Sequence, residues 1–127
     1  MDKCLSELIK ISRKVGRNPL FAQGASGNTS VKTDDGKFMF IKASGTALAD
    51  MSKNKGWRKI ILEKARRIIK DKKLATMSAQ KREAQIAKRL LACCQDKIEG
   101  NCRPSIEANL HVFLDKYVIH ILSLIHI

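Results

Sequence analysis

Gln23-Gly24-Ala25-Ser26-Gly27-Asn28-Thr29-Ser30-Val31-Lys32, followed closely by Ile41-Lys42-Ala43-Ser44-Gly45-Thr46, is the stretch whose reading decides the fold. Each half joins a strand-forming segment to a turn dense in small and polar residues. Strands are expected over residues 29–32 and 37–43, where β-branched and aromatic side chains concentrate. Asp34-Asp35-Gly36 between them reads as a hairpin turn, because Gly36 can take the positive φ that tight hairpins require.

Working outward, the preceding segment has the spacing of an amphipathic helix. Leu5, Leu8, Ile9, Ser12 and Val15 share one face, and Gly16 is a natural stop. Downstream, residues 57–71 read as a helix with Ile60, Ile61, Ala65, Ile68 and Ile69 as its apolar stripe. Residues 78–97 read as another, capped by Ser78, with Ile86, Leu90 and Leu91 facing inward. Residues 99–103 read as a loop. A further helix is expected from Ser105 to about Lys116, with Ile106, Leu110, Phe113 and Leu114 on its buried side. Residues 117–121 read as a short buried strand.

The chain has 127 residues, enough for one domain with a real core. Its net charge of +13 is uneven. Residues 53–97 hold fifteen Lys or Arg against four Asp or Glu, eleven of the thirteen net charges. Such a block attracts anions, nucleic acid among them. It lacks the interleaved aromatics of a single-strand platform, Trp57 apart, and its apolar residues keep a helical period; nucleic-acid binding is therefore disfavoured. No run of about 18 apolar residues suggests a membrane span. Met1-Asp2-Lys3-Cys4 opens an amphipathic pattern and not a signal peptide, which points to the cytoplasm. The four cysteines form no C-x-x-C pair and read as reduced, inert thiols.

Three turns share one chemical property. Ser26-Gly27-Asn28, Ala43-Ser44-Gly45-Thr46 and Arg103-Pro104-Ser105 each pair backbone donors with a hydroxyl or amide side chain. Glycine lets backbone N–H groups approach an anion closely. Singly, each is an ordinary turn; brought together they would cradle a phosphate. Glu107 reads either as a dipole-stabilising first-turn carboxylate or as a proton donor and acceptor beside a phosphate ester. His111, one helical turn on, could be a ligand or a packed residue. His120 lies in an apolar strand segment, where structural histidines outnumber ligands.

In this order, the Gly-Asn-Thr-Ser-Val-Lys run, Ile41-Lys42-Ala43-Ser44-Gly45-Thr46-Ala47-Leu48, Arg103-Pro104-Ser105-Ile106-Glu107 with His111, and Val118-Ile119-His120 resemble the class II aldolase/adducin family over about residues 5–121. The resemblance implies an α/β fold, a three-layer α/β/α class II aldolase architecture with a largely antiparallel central sheet, incomplete in this chain. It implies a zinc-dependent aldolase that reversibly cleaves a ketose 1-phosphate to dihydroxyacetone phosphate and an aldehyde. Carried over by position, Gly27, Asn28, Ser44, Gly45 and Ser105 bind the substrate phosphate, Glu107 is the catalytic acid/base, and His120 is the first zinc ligand. Ile106 stands where the family has a second serine, and Leu122 where it has the second histidine. A partial zinc set implies an inactive fragment; the resemblance implies a homo-oligomeric parent, and an incomplete sheet implies exposed edges and apolar surface. The resemblance leaves open an adducin-like binding domain and a sugar-phosphate 4-epimerase; the basic block leaves open a nucleic-acid-binding module. Leu122-Ser123-Leu124-Ile125-His126-Ile127 resembles the translation of a sequencing-library adapter, so residues 1–121 are read as aldolase sequence and 122–127 as a non-native tail.

Overall fold

The computed structural model describes residues 2–20, 27–96, 104 and 108–121. In chain order the elements are α1 (Lys3–Gly16), β1 (Asn28–Lys32), β2 (Phe38–Lys42), a 3₁₀ turn (Leu48–Asp50), β3 (Trp57–Ile61), α2 (Leu62–Ile69), a second 3₁₀ turn (Lys72–Thr76), α3 (Ala79–Ala92), α4 (Ala108–His111) and β4 (Tyr117–His120). The strands form one antiparallel sheet in the order β3-β2-β1-β4.

Strand alternation sorts side chains to the two faces of the sheet. Val31, Phe40 and Trp57 meet Leu5, Leu8 and Ile9 of α1 on one face. Met39, Ile41 and Ile60 meet α2, α3 and α4 on the other, through Ala65, Ile68, Leu90, Ala108 and Val112. The result is three layers, helix over sheet over helix, as the resemblance implied. Full burial of each of Leu8, Ile41, Ile60 and Leu90 contributes roughly 1.5–3 kcal/mol, which outweighs any local propensity.

α1 forms as its spacing predicts. Asp2 caps it, accepting from the Cys4 N–H at 2.8 Å, and Ser12 turns inward to share a 2.6 Å hydrogen bond with Thr29 Oγ1. Gly16 is the last helical residue, but it takes no positive φ. Its requirement is close approach: a Cβ there would lie 2.8 Å from the Leu48 backbone and nearer still to Ala49 N.

Three expectations about the helices are corrected. Residues 57–61 are not the first turns of a helix; they pair with β2 residue by residue, Trp57 against Lys42 through Ile61 against Phe38, before α2 begins at Leu62. Within α3, Ile86 is half-buried and Leu90 fully buried, but Leu91 is exposed. In α4 the buried residues are Ala108 and His111, joined by Val112 just beyond, whereas Leu110, Phe113 and Leu114 are exposed. The expected loop at 99–103 lies outside the described residues.

The two sheet edges differ. Along β3, residues 93–95 cover the edge: Ile61 N donates to Cys93 O at 3.0 Å and Gln95 N to Lys59 O at 2.8 Å. Arg58 and Asp96 form a buried ion pair of 2.9 Å beneath that seam. At the other edge, β4 is half exposed and not the buried strand expected from its apolar sequence.

Candidate functional site

Strand register decides which residues meet. β1 and β4 pair with Asn28 opposite His120, and β1 pairs with β2 so that Ser30 lies opposite Ile41. The start of β1, the end of β2 and the end of β4 therefore lie at one end of the sheet. An isolated bridge between Ala43 and Pro104 brings the third segment there as well. Gly27-Asn28, Ser44-Gly45 and Pro104 thus converge on the strand end that carries His120. Ser105 and Glu107 themselves lie outside the described residues.

Each turn has a local cause. Gly27 takes φ +85°, and a Cβ there would press on Leu48 Cδ1 at 3.0 Å and lie 3.6 Å from His120 O. Residues 43–46 close a turn in which Thr46 N donates to Ala43 O at 3.4 Å, with Gly45 at φ +81°. A positive φ at the third turn position calls for glycine. Lys42 is buried and donates to Thr46 O at 2.7 Å, holding the turn against β2. Asn28 is 1% exposed, and its Oδ1 has no hydrogen-bond partner among the described residues. A buried amide oxygen left this way costs free energy; being an acceptor, it leaves only the Asn28 Nδ2 and backbone N–H to donate to an anion.

Behind this end of the sheet sits a polar assembly that sequence reading did not find. His111 is fully buried; its Nδ1 lies 2.7 Å from Ser30 Oγ, and its ring centroid is 6.0 Å from that of His120. Lys32 is buried on the same face and donates to the carbonyls of His111 (2.6 Å), Leu114 (2.7 Å) and Asp115 (2.7 Å). Its ammonium therefore caps the end of α4 and fixes the chain that leads into β4. Burial pushes the Lys32 pKa down, with Asp115 partly opposing. The strand alternation of Asn28, Ser30 and Lys32 could have signalled one shared face; their partners, some eighty residues away, could not be read.

Among the described residues, no three His, Cys, Asp or Glu side chains lie close enough together to hold a metal ion. Among them, His120 has the His111 ring as a neighbour. The described residues thus give two imidazoles toward the three protein ligands of a catalytic zinc centre, and Glu107 lies outside them.

Residues 6–126 match the Class II Aldolase and Adducin N-terminal domain, and the chain belongs to that family. Among solved structures it is similar to the N-terminal class II aldolase domain of a conserved protein from Thermoplasma acidophilum, at 28% identity and a TM-score of 0.74. The likeness covers 97% of this chain and 56% of that one. A search of curated proteins gives no match. No helix among the described residues is long and apolar enough to cross a membrane.

Proposed function

We propose that this chain is the phosphate-recognising part of a class II sugar-phosphate aldolase, and that alone it binds a ketose phosphate without cleaving it. The supporting observation is the register that sets Asn28 beside His120, with Pro104 bridged to Ala43 at the same end of the sheet. In this reading, backbone N–H groups around Gly27 and Gly45, with the Asn28 amide and the Ser44 and Ser105 hydroxyls, receive the dianion. Glu107 stands as the acid/base and His120 as the first ligand of the parent's zinc. Net positive charge raises the local concentration of the anionic substrate. Cytoplasmic location and an oligomeric parent belong to the same proposal.

No cleavage step is assigned to this chain, because the described residues supply an incomplete ligand set. Leu122, where the family has its second histidine, favours one second reading, a non-catalytic domain of the adducin type. Calorimetric titration with dihydroxyacetone phosphate separates the two. Saturable 1:1 binding that Asn28→Ala weakens about tenfold or more, without turnover, supports the aldolase reading. Absence of saturable binding in a folded sample rejects it in favour of the adducin type.

A further inference from the structure

At the hairpin end of the sheet, opposite the end that carries Asn28 and His120, the register puts two half-buried apolar side chains together. Phe38 and Ile61 stand directly opposed across β2 and β3. Strand alternation sets them on the face of Phe40 and Trp57, which pack against α1. Phe38 and Ile61 themselves join neither core cluster. They line a cavity of about 420 Å³, completed by Lys37 of the hairpin turn, Arg66 of α2 and Gln95 of the segment that covers β3. Small-molecule sites run from about 300 to 1,000 Å³ and combine apolar walls with a few polar groups.

Charge is sorted around this cavity. The neighbouring carboxylates are engaged: Glu63 on the rim with Arg67 at 2.9 Å, Asp34 with Lys116, and Asp35 with the Thr33 hydroxyl at 2.6 Å and the Lys37 N–H at 3.0 Å. The cations are not. Among the described residues, neither Arg66 nor the Lys37 ammonium has a carboxylate partner. Lys59 Nζ lies 4.3 Å from the centroid of the Phe38 ring and adds a third positive charge at the apolar floor.

We propose that this cavity binds a small organic monocarboxylate with a flat apolar body. The body rests on Phe38 and Ile61, and the head meets Arg66 and Lys37. A guanidinium offers two parallel N–H donors that match a carboxylate. The apolar floor favours a singly charged head over a phosphate dianion, whose desolvation costs more. This site is separate from the anion pocket at the other end of the sheet and does not depend on the aldolase reading.

Benzoate is the probe, with benzylamine and inorganic phosphate as controls, each titrated into the isotope-labelled 127-residue chain while amide chemical shifts are recorded. Benzoate is expected to move the amides of Gly36, Lys37, Phe38, Ile61 and Gln95 saturably, with a dissociation constant on the order of 1 mM. Benzylamine keeps the ring and reverses the charge; phosphate keeps the charge and lacks the ring. Both are expected to bind there at least about tenfold more weakly. Arg66→Gln, at an exposed position of α2, should weaken benzoate about tenfold with an unchanged far-ultraviolet spectrum. Lys37→Gln, in the exposed turn, should weaken it as well and decides the matter if the first variant does not fold. Absence of saturable benzoate shifts at these amides overturns the proposal. So does equal affinity for either control, or benzoate affinity unchanged in the folded variants. Benzoate shifts confined to Gly27, Asn28, Ser44 and Gly45 would also overturn it, while leaving the anion pocket standing.

Discussion

Replacing Lys32 by methionine removes the cap on α4 while keeping most of the side-chain volume. Three charge-assisted hydrogen bonds disappear, to the carbonyls of His111, Leu114 and Asp115. At about 1.5 kcal/mol each the loss is about 4.5 kcal/mol, and the desolvation of the ammonium, about 2 kcal/mol, is recovered. The net cost is about 2.5 kcal/mol. An unfolding entropy of about 2.1 cal/mol/K per residue translates this into a fall in Tm of about 9 °C. The pH dependence provides a second readout. Burial lowers the Lys32 pKa below 10.5, so between the folded value and 10.5 the unfolded chain binds more protons. Wild-type stability therefore rises with pH through that window relative to Lys32→Met, which lacks the titration. Thermal unfolding followed by circular dichroism at neutral and alkaline pH measures both. A variant that melts within about 2 °C of wild type at neutral pH would refute the claim that Lys32 holds the α4–β4 connection.

Gly16→Ala should cost about 2 kcal/mol, since its methyl would displace α1 from the 3₁₀ turn at Leu48; urea unfolding midpoints measure it. Asp71 is held below the usual carboxylate range, first by the Lys73 N–H and then by Arg89. Its contribution is present above the unfolded pKa of 3.8 and is lost as pH falls through the folded value, so Asp71→Asn should flatten the acid limb of stability against pH. Burial pushes the Cys94 thiol up to about 11. Iodoacetamide at mild pH should therefore label Cys94 far more slowly in the native chain than in urea, as peptide mass spectrometry would show.

The hairpin, α1 and the Ser78 cap were legible because their causes are local: a turn glycine, a helical stripe, a hydroxyl three residues from the amide it accepts from. The β3 segment was not. Ile60, Ile61, Ala65, Ile68 and Ile69 keep helical spacing across a boundary where the backbone changes from strand to helix, and pairing with β2 decides the first half. α4 failed for a related reason. Leu110, and Phe113 and Leu114 just beyond it, face outward because His111 is held inward by Ser30, and Lys32 binds the carbonyls of His111 and Leu114. Those contacts span about eighty residues, and no local pattern encodes them. At the candidate site, the order of the turns gave the resemblance; their convergence required the strand register.

The central claim is that the turns at Gly27-Asn28, Ser44-Gly45 and Ser105 form one anion pocket at the His120 end of the sheet. Amide chemical shifts recorded during titration with inorganic phosphate test it most directly. The account predicts saturable changes concentrated at Gly27, Asn28, Ser44, Gly45 and Ser105, sharing one dissociation constant. Changes spread over the basic residues of 53–97, with those five amides unmoved, would contradict it.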